Sequence, residues 1–286
     1  MNKMRRLLIP IFLAALVAAV MPLTALAATQ PRLGTTSSFS VLAGAGITNT
    51  GTSTVAGDIG TFPTTSETGL GSLTIGGTNQ AGDAVTQGAK NDLITAYNDA
   101  AGQTPFTDLS SVNSGNLGGQ NLTPGTYRFS SSAALTGPLT LSGFGVYVFQ
   151  IGSSLTTASG STVLLTNNAQ ACGVYWQITS SATFGTSSHF EGTVMALTSI
   201  TMTTGATLNG RALARNGAVT LDTNTITTPA ANCAGLPFST GAGLPSTGVP
   251  SQLLGEIPWL LMIGLGSGLA VVALGISSRR RRRRLV

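Results

Sequence analysis

Five segments of the chain lie over one another almost residue for residue. Residues 200–216 (ITMTTGATLNGRALARN) set the pattern, and residues 47–59 (ITNTGTSTVAGDI) copy its first part from far upstream. Residues 182–199 (ATFGTSSHFEGTVMALTS) and 155–165 (LTTASGSTVLL) repeat it, and residues 219–227 (VTLDTNTIT) end it. A period of about 18–19 residues is the mark of stacked coils: a unit that short cannot bury its own apolar side, so neighbours must complete the core. The predicted fold class is mainly β, a right-handed three-faced β-solenoid.

Within a repeat, apolar residues alternate with small polar ones, the period of a half-buried strand. Aligned, the alternation becomes columns. Leu155, Ala182, Ile200 and Val219 form one inward column, with Thr157, Phe184, Met202 and Leu221 two places on. Between them stands an outward column of Thr48, Thr156, Thr183, Thr201 and Thr220. After a Gly/Ser turn comes a second face. Its inward column is predicted as Val55, Leu141, Val163, Phe190, Leu208 and Ile226, its outward one as Thr54, Thr140, Thr162, His189, Thr207 and Thr225. The third segment of each coil (VYVFQI, VYWQI, TVMALT, RALAR) is apolar at nearly every position. A strand apolar on both sides must be covered on both sides.

The predicted cover is one helix over residues 80–101, with Val85, Ala89, Leu93, Ala96, Tyr97 and Ala100 at helical spacing and Lys90, Asp92 and Asp99 on its other side. Two non-repeating stretches, 62–76 and 104–125, read as a cap over one end of the stack, where strand edges would otherwise lie open. The β-domain is predicted to span 28–234, followed by a flexible linker at 235–243.

Charge is concentrated at the chain ends. Lys3, Arg5, Arg6 and the arginines at 279–284 hold most of the Lys and Arg; between Ala28 and Thr247, five basic residues face eight acidic ones, a net of −3. That balance excludes nucleic acid as a partner. The N-terminus reads as a signal peptide over 1–27, with a basic start, an apolar centre and Ala25-Leu26-Ala27 as cleavage site. At the other end Leu244-Pro245-Ser246-Thr247-Gly248 precedes an apolar run at 257–276 and then the arginines. Such a run is long enough to span a bilayer, and the arginines hold its end in the cytoplasm. Over 244–286 this order resembles the LPxTG cell-wall sorting signal of Gram-positive bacteria. The resemblance implies cleavage after Thr247, attachment of Thr247 to peptidoglycan and a wall or cell-surface location. It also implies membrane contact only through the anchor before sorting. The gap from Gly248 to Ile257 is slightly longer than usual in such signals.

Cys172 and Cys233 are the only cysteines, and in an exported chain an even pair reads as a disulfide. Catalytic chemistry is poorly provided for. His189 is the only histidine, placed beside Glu191 in the outward column of the second face. Arg211 and Arg215, with Asp222 the nearest acid, are the sole candidates for a lyase-like groove. No enzyme activity, metal site or cofactor is expected.

Several strings together resemble the microbial ice-binding-protein family: LGTTSSFSVLAG at 33–44, GDIG at 57–60, AYNDAAG at 96–102 and LTPGTYRFSSSAALTG at 122–137, with VFQIGSSLTTASGS at 148–161 and NGRALARNGAVTLDTNTIT at 209–227. The likeness covers about residues 30–233. It implies an irregular right-handed β-solenoid with a helix alongside, in which N- and C-terminal segments meet. It also implies an ice crystal surface as partner, bound through a flat face, in some members through a T-A/G-x-T/N pattern. Thr204-Gly205-Ala206-Thr207 matches that pattern, and Ser159-Gly160-Ser161-Thr162 nearly does; Thr186-Ser187-Ser188-His189 departs at two positions, and Thr223-Asn224-Thr225 is one residue short. The ice-binding residues expected on this basis are Thr54, Thr140, Thr162, Thr204, Thr207 and Thr225. The column of Thr48, Thr156, Thr183, Thr201 and Thr220 is the alternative face. Threonine is also simply a good exposed strand residue, so a second reading stands beside the first: a wall-anchored adhesin or structural surface protein binding a glycan or protein.

Overall fold

A computed structural model of the chain describes residues 28–229 and 233–238. The predicted signal peptide, sorting pentapeptide and membrane span lie outside the described residues. Every strand pairing among the described residues is parallel, and the strands stack into three ladders. In spatial order the first runs Ala133–Leu135, Leu155–Thr157, Ala182–Phe184, Ile200–Met202, Ala218–Asp222, Gly46–Thr50 and Glu67–Thr68, a 7-stranded sheet. The second begins at Asn121–Leu122 and Pro138–Ser142 and ends at Ser53–Val55 and Leu73–Ile75. The third begins at Thr107–Asp108 and Gly125–Phe129 and ends at Phe39–Ala43 and Asp58–Thr61. His189–Ala196 and Thr207–Ala214 run through both of these ladders and join them into one 14-stranded sheet. The corner falls at Gly192 and Gly210, where a Cβ on Gly210 would come 1.8 Å from the Gly192 carbonyl oxygen.

The first inward column forms as its alternation predicts. Ala133, Leu155, Ala182, Ile200, Val219 and Ile47 are in register and buried. Deeper in the core Tyr127, Phe149 and Trp176 stack rung on rung, with ring centroids 5.4 and 3.9 Å apart. Each such buried side chain stabilises by roughly 1.5–3 kcal/mol relative to exposure. The N-terminal coil stacks on the C-terminal one: Ile47 pairs with Val219, Thr54 with Thr225, and Val41 with Ala212. Two expectations need correction. In the second ladder Val163 pairs with Leu139, not Leu141. The non-repeating stretches do not cap one end; Glu67–Thr68 and Leu73–Ile75 extend the ladders beyond the N-terminal coil, whereas Thr107–Asp108 and Asn121–Leu122 extend them at the opposite end.

The outer side of the third ladder is covered by the one α-helix among the described residues, Ala84–Ala101, which starts four residues later than its apolar spacing suggests because Asp83 caps it, accepting from the Thr86 N–H at 2.8 Å. Ala89, Leu93, Ala96, Tyr97 and Ala100 pack on Leu42, Val148, Tyr175, Met195 and Leu213. Val85 is 49% exposed, contrary to its predicted inward place, and Lys90, assigned to the outer side, is only 6% exposed. The Lys90 ammonium donates to the carbonyls of Ala214, at 2.8 Å, and Arg215. A lysine stem can pack as an apolar residue while its head finds acceptors, which a helical wheel does not show.

Cys172 and Cys233 are bonded, with Cα atoms 5.4 Å apart. Closing a loop of 61 residues contributes about 4 kcal/mol in the chain-entropy picture. Gln30, fully buried, completes the clasp: its Nε2 donates to the carbonyls of Cys233 and Leu236, and its Oε1 accepts from the Cys233 N–H. Residues 235–238, expected to begin a flexible linker, therefore lie against the domain; the Gln30 N–H also donates to the Pro237 carbonyl at 2.8 Å.

Burial first, and the Arg215 charge second, lower the Lys90 pKa to about 8 from 10.5. Between those values the unfolded chain holds a proton that the folded chain has released, so stability rises with pH across that window. Urea midpoints measured through the window are expected to climb in the wild type and to stay flatter in Lys90→Met.

Candidate functional site

Two ladders present threonine outward. On the first, Ala134, Thr156, Thr183, Thr201, Thr220, Thr48 and Thr68 stand in unbroken register. Four of its strands are three residues long, so each of these offers one outward side chain; a second outward pair, Thr50 and Asp222, exists only on Gly46–Thr50 and Ala218–Asp222.

The second ladder is wider. One column runs Pro138, Thr162, His189, Thr207, Thr225, Thr54 and Thr74. Two residues along each strand lies another, with Asn121, Thr140 and Leu164 and then Glu191, Asn209 and Thr227. Thr140 is thus displaced from its predicted column: it pairs with Leu164, and Pro138 pairs with Thr162. The cause is the preceding turn. Leu135 to Leu139 spans four positions where the paired Thr157 to Val163 spans six. A two-residue slip keeps the alternation in phase, so Thr140 still points outward. Rungs about 4.8 Å apart, with outward residues about 6.8 Å apart along each strand, make these two columns a grid.

Side chains of the grid are tied to neighbouring rungs. His189 Nδ1 lies 2.8 Å from Thr207 Oγ1. Thr227 Oγ1 donates to Asn209 Oδ1 at 3.2 Å, and Asn209 Nδ2 donates to Glu191 Oε2 at 2.8 Å. Burial raises the Glu191 pKa, and the Asn209 bond opposes the rise. Leu164 is 44% exposed, an apolar point in the same plane.

The turn entering this face explains the T-G-x-T spacing. Its second position is left-handed in four coils, at Gly160 (φ 66°), Ser187 (55°), Gly205 (71°) and Thr223 (55°); in the N-terminal coil Gly51 (66°) takes that conformation, three residues before Thr54. Glycine adopts that region without the Cβ penalty. The third position, Ser161, Ser188, Ala206, Asn224 or Ser53, is small or amide-bearing and buried. The turns also stack, with the N–H groups of Gly160, Ser187, Gly205 and Thr223 donating to the carbonyls of Thr186, Thr204, Asp222 and Thr50 at 2.9–3.1 Å. This brings Thr204 beside Asp222, whose carboxylate accepts from Thr204 Oγ1 at 2.5 Å and Thr223 Oγ1 at 3.0 Å. The Thr204 and Thr223 hydroxyls hold the Asp222 pKa low. Asp222 therefore marks an edge shared by the two threonine faces.

The profile of the ice-binding-like family matches residues 41–227. An ice-binding protein of Nostoc sp. (strain HG1) is 49% identical over 205 residues, 70% of this chain and 75% of that one. This chain belongs to the ice-binding-like family. An ice-binding protein of Flavobacterium frigoris (strain PS1) is 35% identical over 211 residues, 69% of this chain and 76% of its own. The crystal structure of an ice binding protein from an Antarctic biological consortium aligns with a TM-score of 0.69 at 46% identity, covering 73% of this chain and 96% of that one. A segment of this extent thus makes up nearly the whole of a solved family member.

Within the family frame, the second ladder brings together Thr54, Thr162, Thr207 and Thr225, with Thr140 one row over and Thr204 at the turn. Thr74, Asn209 and Thr227 share the face and were missed by repeat alignment. Thr74 sits in a stretch that does not read as a repeat, and Asn209 and Thr227 lie one strand period beyond the aligned column. Arg211 does not line an open groove: it is 1% exposed, and its Nε and Nη2 donate to the carbonyls of Ser37 and Pro229 at 3.0 Å each. Burial lowers its pKa to about 10, against the opposing Tyr175. Among the described residues no group of three His, Cys, Asp or Glu side chains converges as metal ligands would.

The turn position is testable by exchange. A β-branched residue at a left-handed φ costs roughly 1–2 kcal/mol. Gly205→Val should lower the midpoint of thermal unfolding and Thr223→Gly should raise it, each by a few degrees at about 2–4 °C per kcal/mol for a domain of this size. Calorimetry on the two variants reads both signs.

Proposed function

We propose that the domain binds the surface of ice through the outward face of its second ladder, and that its coils form a right-handed, three-faced solenoid. The observation that carries this reading is the two-column grid, mostly Thr and Asn and interrupted at Pro138, Leu164, His189 and Glu191, on a chain of the ice-binding-like family. Threonine methyls order a water layer and hydroxyls hold it. β-branched side chains are already stiff, so docking on a solid costs them little rotamer freedom. On the first face a second outward position exists only at Thr50 and the charged Asp222, too little for a second dimension of that lattice, which is why Thr54, Thr162, Thr204, Thr207 and Thr225 are preferred to Thr48, Thr156, Thr183, Thr201 and Thr220. The protein is not an enzyme in this reading.

Residues 28–245 should shape ice crystals and slow recrystallisation. A tyrosine ring spoils a flat contact wherever it stands on the binding face. Thr207→Tyr is therefore expected to remove most of the thermal hysteresis, and Thr201→Tyr to leave it, with both variants matched for unfolding temperature. The reverse result would assign ice to the first ladder.

The terminal patterns support a surface role. The chain is exported, a sortase cuts after Thr247, and the new carboxyl joins peptidoglycan, so that the ice face is held at the cell wall. Digested wall of the producing cell should yield peptidoglycan fragments linked to a peptide ending in Thr247. Recovery of the intact tail from the membrane fraction alone would make the terminal segment a plain anchor.

A further inference from the structure

Beside the helix, on the side of the molecule that carries no threonine grid, lies a groove of about 470 Å³ whose lining includes Arg128, Gln150, Gln177 and Arg215. That volume falls within the range of small-molecule and oligomer sites. Three features set it apart from ordinary surface.

The first is the arginines. Arg128 is held over the ring of Phe106, with its guanidinium carbon 4.8 Å from the centroid, and Arg215 over Tyr97 at 5.5 Å. Among the described residues neither guanidinium forms a hydrogen bond or an ion pair. The carboxylate of Asp108, paired with Arg128 on the next strand, accepts from the Ser110 N–H at 2.8 Å and also attracts the Arg128 charge. The rings fix the planes of both arginines and leave their N–H edges available, the state in which arginine grips an oxyanion bidentately.

The second is Gln177. It is only 5% exposed, it lines the groove, and its amide bonds to no other described residue. Its neighbour on the next rung, Gln150, shows the contrast: that amide donates to the carbonyls of Ala100 and Gln103 at 2.9 Å each. Its polar atoms are not among the buried groups left without a partner, so the Gln177 amide reaches the open groove and offers a donor and an acceptor there.

The third is spacing. Arg128, Gln150 and Gln177 occupy consecutive rungs, Met195 and Leu213 the next two, and Arg215 lies two residues beyond Leu213. Four steps of about 4.8 Å separate the end rungs by roughly 19 Å. One small anion cannot engage both arginines at that distance, but an extended oligomer with charges at intervals can. These strands are paired on both sides, so no free main-chain row exists on which a peptide could add as a strand.

We propose that this groove binds an acidic oligosaccharide, its carboxylates on Arg128 and Arg215 and its hydroxyls on Gln177. The site is separate from the threonine grid and does not depend on ice binding. The test is calorimetric titration of residues 28–245 with hexagalacturonate, and with maltohexaose, sulfate and hexaglutamate as comparisons. The expected result is saturable binding of hexagalacturonate alone. The affinity should fall at least tenfold in the Arg128→Gln, Arg215→Gln double variant and severalfold in Gln177→Leu. Unfolding temperatures close to wild type establish that the variants are folded. Absent saturation, affinity unchanged in the double variant, equal uptake of maltohexaose, or tighter binding of sulfate or hexaglutamate would each overturn the assignment.

Discussion

Everything presented outward depends on neighbouring coils keeping the same inward and outward phase. In a parallel ladder an odd slip between rungs would turn a threonine column into the core and its apolar neighbours into solvent. The protein absorbs changes of coil length in two ways. Where the turn after Leu135 is two residues shorter, the strand slips by two, and Thr140 moves a row without changing side. Where the coil after Leu221 is one residue short, the loss falls in the turn. There Asn224, fully buried, donates its amide to the carbonyls of Thr203 and Ala206, and its Oδ1 accepts from the Asp222 N–H. One side chain thus replaces the backbone partners that the missing residue would have supplied, and Thr225 arrives in register with Thr207 and Thr54.

The same logic explains which parts of the molecule are legible in the sequence. Columns of the first ladder could be read directly, because coils of equal length place Leu155, Ala182, Ile200 and Val219 at matching positions. Thr140 could not be placed, since alignment by residue similarity does not weigh the length of the turn before it. The meeting of the N- and C-terminal coils came from the family likeness and from the match of residues 47–59 to residues 200–212, not from local pattern. Lys90 was misassigned because a charged residue on a helix is ordinarily solvated, and only the tertiary structure supplies the Ala214 and Arg215 carbonyls that accept from it. Gln150 and Gln177 were hidden inside strings that read as apolar. Alternation there looks broken because both sides of the strand are covered, one by the core and one by the helix.

Polar groups under the helix are few and nearly all committed, which distinguishes that side from the threonine ladders. Tyr175, Gln30 and Lys90 bond to the chain itself, and so does Arg211 through Nε and Nη2, while its buried Nη1 is left without a partner. They fix the positions of the N-terminal segment, the helix and the 233–238 strap, which are not held by the ladders. Burial costs each of these groups solvation, and bonds to backbone carbonyls offset it. The helix side is therefore an assembly point, where sequence-distant segments are joined.

That division of labour bears on how the grid can remain open. Cys172, Cys233 and Leu236 belong to the cluster packed around the helix, together with Leu33, Tyr97 and Tyr175. The last described residues of the chain are thus bound on the covered side of the third ladder, and neither threonine ladder carries them. A clasp on the threonine side would place a strap across the grid and break its regular spacing. Placing it under the helix ties the C-terminal segment by a covalent bond and the Gln30 contacts without using any outward position of the first or second ladder. The C-terminal clasp and the threonine ladders then use different sides of the coil, and the inner columns of Leu, Ile, Val and aromatic residues lie between those sides.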